Sequence, residues 1–276
     1  MRALCWQIGA YKMSTFRKKI NFIMDKFGYK IEKASAAIRF HQAALEYNLI
    51  LSKQICEEYN YTVQAGAFVG LRLLPNPSWG ALDVAAKLVG AYEEQLSPLI
   101  LEAVAQRPDC VVNIGCADGY YAVGLRRLLP DAAVLAFDID PRAEAELAQT
   151  ESLNGVRVAY HAGYDWARPL PEIMACSKPF FVLDCEGAEQ HLPEIPAELV
   201  AKSTFLIETH DSNVPGVTRQ LSEFLSPSHA VVEIVEGGRN PFLYPALRNL
   251  DCLEKYLLLS EFRGRDSVKW IYAAPK

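Results

Sequence analysis

Two stretches of this 276-residue chain concentrate groups able to do acid–base or metal chemistry. FFVLDCEGAE leaves an apolar run at Asp184, Cys185 and Glu186, with Glu189 just beyond. FLIETHD leaves another at Glu208, Thr209, His210 and Asp211. An imidazole titrates near neutrality and suits proton removal. Carboxylate oxygens suit a hard cation such as Mg2+, which keeps several waters. Three readings follow. His210 is a general base oriented by a neighbouring carboxylate; or Asp184 and Asp211, with Glu208 in support, hold a magnesium-like ion; or Asp184 and Glu186 only bond loop amides and cap the next helix while His210 packs. Cys185 reads as a small buried hydrophobe, and His161 and His191 as structural or surface residues.

A third stretch, VVNIGCADGYYAVGLRRLLP, passes from an apolar run through Gly115-Cys116-Ala117-Asp118-Gly119 into a helical pattern. Glycines there permit a tight turn, and a helix start presents free N–H groups. A dinucleotide fingerprint needs G-x-G-x-x-G, and Cys116 and Ala117 break that spacing. The next apolar run ends AFDIDP. Asp138 stands where a nucleoside-binding sheet places an acid for ribose hydroxyls, while Asp140 before Pro141 suits a helix cap.

These stretches need a frame that gathers strand ends. CVVNI, AVLAFDI, VRVAY, PFFVLDC, STFLIETH and AVVEIVE alternate with helical segments, and SVKWIYAAP closes the chain. Apolar strands alternating with helices predict an α/β fold, a doubly wound, mostly parallel seven-stranded sheet covered on both faces. In such sheets ligands lie beyond the carboxyl ends of the strands. Residues 1–107 read as a mainly helical cap: Ile31, Ala34, Ile38, Leu45, Leu49 and Cys56 recur at helical steps, with Arg17-Lys18-Lys19 as a solvated face. YTVQAGAFVGLRLLPNPSWG reads as a short hairpin or connector. Within GAYEEQL, Glu93 reads as part of a solvated helix face. Residues 108–276 form the sheet domain, with an insertion at about 237–266.

A net charge of −5 argues against a passive nucleic-acid binder. Seven scattered cysteines without a C-x-x-C pair point to reduced thiols in a cytoplasmic protein. No window reads as a membrane span. Residues 1–12 are too short and interrupted for a secretory signal and read as an upstream-start extension.

The glycine turn, the acid ending the second strand and the segment Asp184, Glu186, Gly187, Glu189, a D-x-E-G-x-E pattern, together resemble the S-adenosylmethionine-dependent methyltransferases of the FkbM type. The resemblance covers about residues 90–236 and extends to the terminal strand. It implies S-adenosylmethionine as cofactor. Carried over by position, Asn113, Gly115 and Ala117, with Cys116 and Gly119 in the same turn, face its methionine part. Asp138 faces the ribose and Gly163 to Asp165 the adenine side, and Asp184 counts among the cofactor-binding residues. The family usually has an acid where this chain has Asn113, which bonds without a full charge. The resemblance implies O-methylation of a hydroxyl on a small-molecule acceptor, a sugar or secondary metabolite, for which His210 and Asp184 are the catalytic candidates among the strand-end residues. The cap and the 237–266 insertion would shape the acceptor pocket, with Trp79, Phe242, Tyr244 and Tyr256 able to stack on a ring. A homo-oligomer is compatible with all of this. The alternatives are a non-catalytic module that binds the same cofactor and a nicotinamide-linked oxidoreductase, which the glycine spacing disfavours.

Overall fold

The computed structural model describes residues 36–260 and 268–276. The chain divides into two compact units, Met1–Glu46 and Tyr47–Lys276. The expectations for residues 1–12, Arg17-Lys18-Lys19, Ile31 and Ala34 lie outside the described residues. No helix among the described residues is long and apolar enough to cross a membrane.

The described chain opens with α1 (Ala36–Glu58). Its buried stripe is Asn48, Leu51, Ser52, Ile55 and Cys56, whereas Ile38 and Leu49 are exposed. The expected face was therefore rotated: Cys56 belongs to it, but the polar Asn48 and Ser52 complete it by bonding each other, with Asn48 also donating to the Leu257 carbonyl. A bridge from Thr62 to Arg72 makes the following segment a short hairpin. Then come α2 (Val84–Val89) and α3 (Ser97–Ala105), where Pro98 occupies the first turn.

The alternating part follows: β1 (Cys110–Ile114), α4 (Tyr120–Leu128), β2 (Ala133–Phe137), α5 (Ala143–Asn154), β3 (Ala159–His161), α6 (Pro171–Ala175), β4 (Pro179–Leu183), α7 (Ala197–Lys202), β5 (Thr204–Thr209), α8 (Val217–Leu225), β6 (His229–Val235), α9 (Cys252–Leu259) and β7 (Lys269–Pro275). The seven strands form one sheet in the order β3-β2-β1-β4-β5-β7-β6. β7 runs antiparallel to both of its neighbours, and the other pairs are parallel. The third strand is shorter than the run VRVAY because the Val156 and Val158 amides bond Glu151 instead of a neighbouring strand.

Period-two alternation splits the core across the two faces. Val111, Phe180, Val182 and Leu206 pack with α4 and the segment before the sheet. Val112, Ile114, Phe181, Leu183 and Phe205 pack with α6, α7 and α8. Phe180, Phe181 and Phe205 are fully buried, and each contributes about 1.5–3 kcal/mol. Residues ahead of the sheet join this core through Phe68, which packs edge-on against Tyr120 and Tyr121. Gly124 makes the approach possible, since a Cβ there would stand 2.6 Å from the Phe68 ring.

Candidate active site

A cleft of about 570 Å³ opens at the carboxyl ends of β1, β4 and β5, within the roughly 300–1,000 Å³ usual for small-molecule sites. One wall is the turn after β1. Gly115 has φ +81°, and a Cβ there would lie 1.6 Å from the Asp184 carbonyl oxygen, so the turns after β1 and β4 touch backbone to backbone. The Gly115 and Cys116 amides both donate to the Phe137 carbonyl. Gly115, Cys116, Ala117 and Asp118 line the cleft with Trp79 and Lys87. This backbone cradle fits the methionine-bearing nucleoside that the sequence implies. Burial pushes the Cys116 thiol well above its ordinary range, so the residue sits there as a small hydrophobe.

Asn113 is 1% exposed, and its Nδ2 donates to the Val182 carbonyl at 3.2 Å. Its Oδ1 is buried without a partner. It does not belong to the cleft lining. Asp138 ties the turn to the sheet: one carboxylate oxygen accepts the Ala117 amide at 2.8 Å and the other the Asp140 amide at 2.8 Å. Each oxygen keeps a second lone pair, but Asp138, like Gly119 and Gly163, is not part of the cleft lining. Asp140 accepts the Arg142 amide and guanidinium and the Trp79 indole N–H, but the N-cap of α5 is Arg142, without a side-chain cap bond, so the expected cap stands two residues ahead of that position. Gly163 lies beside Ile139, an isoleucine 90% exposed at the end of β2. Asp165 points to Arg168 and does not line the cleft.

The other wall holds the acids and the histidine. His210 and Asp184 both line it. The Glu189 side chain is wholly buried, and one of its oxygens accepts the His210 amide at 2.8 Å and the ring Nδ1 at 3.1 Å. Its other oxygen accepts the Gly187 amide at 2.7 Å. Burial pushes the Glu189 carboxyl upward, but the His210 ring and these amides overcome that and hold it below its ordinary value. An ionised Glu189 accepts only, which places the His210 proton on Nδ1 and leaves the Nε2 lone pair free. Nε2 stands 3.7 Å from both Asp184 and Glu186. Burial works against the charged ring, yet Glu189, Asp184 and Glu186 raise its pKa above 6.5.

Asp184, Glu208 and His210 each place one ligand atom within 4.8 Å of the others. Asp211 is committed elsewhere, accepting the Thr218 amide and hydroxyl and pairing with Lys269 at 3.2 Å. The ligand atoms that converge with those of Asp184 and His210 are therefore those of Glu208, not Asp211. Burial pushes the Cys185 thiol far up, which removes it as a nucleophile. Glu93 is not solvated: it is 4% exposed and accepts the Tyr121 hydroxyl. Of the four aromatics offered for stacking, only Trp79 lines the cleft; Tyr244 is buried and donates to Glu94, and Phe242 and Tyr256 are exposed outside the lining.

The sequence reading gave no role to Glu189 beyond its motif, nor any to Lys87. The signal for the latter was a single lysine inside the otherwise apolar helix VAAKLV, a charge that burial tolerates only with a partner.

The strand order with an antiparallel seventh strand is that of the class I S-adenosylmethionine-dependent methyltransferase fold. No protein-family model and no curated protein matches the chain. Among solved structures it is similar to the O-methyltransferase TomG from Streptomyces achromogenes in complex with SAM, at 16% identity over 93% of this chain and 97% of that one, with a TM-score of 0.42. An O-methyltransferase from Bacillus cereus in complex with SAH is similar at 14% identity over 66% and 81% of the two chains, TM-score 0.42. An rRNA methylase from Streptococcus thermophilus is similar at 13% over 66% and 96%, TM-score 0.43. These likenesses concern the fold; the compounds named with those proteins are theirs.

Proposed function

We propose that this protein moves a methyl group from S-adenosylmethionine to a hydroxyl of a small molecule, a sugar or secondary metabolite, as an FkbM-type enzyme. One observation supports the reading: His210, bonded to the buried Glu189, lines the same cleft as the Gly115 turn. The cofactor supplies an electrophilic methyl on a sulfonium, and the chain aligns the acceptor and manages its proton. His210 takes the hydroxyl proton at Nε2. Glu189 holds the ring and supports the imidazolium, and Asp184 and Glu186 lend it charge.

The balance of charge in the cleft supports a cationic ligand over a dinucleotide. Asp83, Asp118, Asp184, Glu186, Glu208 and Asp211 line it against Lys87 and Lys269, with no arginine in the lining. A pyrophosphate would meet a negative field there, whereas a sulfonium is favoured.

A second reading rests on Asp184, Glu208 and His210, whose ligand atoms suit a divalent cation that would lower the hydroxyl pKa directly. Transfer of labelled methyl to a panel of hydroxylated acceptors separates the two. With His210 as base, turnover survives exhaustive chelation and His210→Ala lowers kcat by about a hundredfold or more. Activity abolished by chelation and restored by Mg2+ supports the cation. No transfer from the wild-type protein to any acceptor favours a binding module.

A further inference from the structure

Lys87 is 6% exposed, yet it belongs to the apolar helix VAAKLV and lines the cleft. Its ammonium donates to Asp118, Nζ to Oδ2 at 3.3 Å, and lies 5.0 and 5.2 Å from the ring centres of Tyr120 and Tyr92. An ammonium has three donors, and here one carboxylate oxygen and two aromatic faces surround it. Asp118 is equally buried; its Oδ1 accepts the Tyr120 amide at 3.2 Å. Taking two opposite charges out of water is costly and is only partly offset by a single contact at this distance. A salt bridge from a helix lysine to an acid of the glycine turn, both lining the cleft, has the makings of a receptor for a second ion pair.

We propose that Lys87 and Asp118 bind the amino-acid arm of the cofactor as a zwitterion, Lys87 taking its α-carboxylate and Asp118 its α-ammonium. This rests on the S-adenosylmethionine reading above and names the residues that recognise the ligand's charged end. Carboxylate to Lys87 and ammonium to Asp118 close an alternating square of charges, and the start of α4 at Tyr120 adds a favourable field for the carboxylate. Tyr92 and Tyr120 hold the lysine in place through cation–π contact. On this account the methionine end is read by Lys87 and Asp118, not by Asn113, whose side chain is turned to Val182.

Calorimetry with three nucleosides tests this: S-adenosylhomocysteine; S-adenosyl-3-thiopropylamine, which lacks only the carboxylate; and 5′-methylthioadenosine, which lacks the whole arm. The wild-type protein is expected to bind the first at least about tenfold more tightly than the second. In Lys87→Met that preference falls to about twofold or less, while the affinity for 5′-methylthioadenosine is retained. Equal wild-type affinities for the first two ligands overturn the proposal, as does an unchanged preference in Lys87→Met. The wild-type comparison decides if the variant does not fold. Should the wild-type protein bind none of the three, the cofactor reading fails and this inference with it; binding of all three with equal strength leaves that reading standing and removes only the role of Lys87 and Asp118.

Discussion

One oxygen of Glu189 bonds both the backbone amide and the ring Nδ1 of His210, at 2.8 and 3.1 Å. The same carboxylate therefore fixes where the end of β5 lies and which ring nitrogen faces the cleft. Glu189 comes from the turn after β4, so the contact also ties two strand exits together.

Glu189→Gln is expected to cost about 2–4 kcal/mol, because an amide cannot accept from three N–H groups as a carboxylate does and a buried charged ring loses its partner. His210 has a raised pKa, so its pairing stabilises the fold fully below about pH 6.5 and is lost as pH rises through the folded value. Glu189 has a lowered pKa, so its share is present above about pH 4.5 and is lost as pH falls through the folded value. The stability difference between variant and wild type should thus be largest at about pH 5–6.5. Chemical denaturation across pH 4–9 measures it, and a difference that does not vary with pH counts against the pairing.

The same shift shapes turnover. A general base must be unprotonated, so kcat/KM should climb with pH and level off only above an inflection higher than 6.5. Loss of the Glu189 charge lowers the His210 pKa, and Glu189→Gln should move the inflection to lower pH while reducing the plateau by about tenfold or more. A profile whose inflection does not move would remove Glu189 as the positioning residue.

Gly115→Ala would put a methyl 1.6 Å from the Asp184 carbonyl oxygen at a φ of +81°. One of the two turns must move. A loss of at least about 2 kcal/mol is expected from the backbone strain alone, together with loss of nucleoside binding. Thermal unfolding and calorimetry on the same sample report both, and a variant that keeps wild-type affinity would mean the turn does not cradle the ligand.

Asn113→Asp introduces the acid that the sequence resemblance leads one to expect, yet here it should not improve binding. The change removes the donor to Val182 and buries a carboxyl with no basic partner in contact. A loss of about 1–3 kcal/mol is expected, with cofactor affinity unchanged or lower. Tighter binding in the variant would assign Asn113 to the cofactor after all.

Much of the frame could be read from the residues because strand and helix periods are local. CVVNI, apart from Asn113, and PFFVL are apolar, as a strand covered on both faces requires, and the structure buries every residue of β1 and β4. The G-x-x-x-G turn and the pair DCEGAE and ETHD could be placed on one rim from the rule that parallel strands point the same way. Partners could not. Whether Asp211 or Glu208 faces His210 depends on Lys269 of β7 lying beside Asp211, fifty-eight positions along the chain. Lys87 and Asp118 meet across 31 positions of the chain, a contact that no local pattern announces. The face of α1 was misjudged for a similar reason, since Asn48 finds the Leu257 carbonyl, a partner with no local sequence signal.

The most direct test of the account is calorimetry of the wild-type protein with S-adenosylhomocysteine and, separately, with NAD. The glycine spacing and the carboxylates of the cleft predict stoichiometric binding of S-adenosylhomocysteine and none of NAD. Binding of NAD without binding of S-adenosylhomocysteine would contradict it.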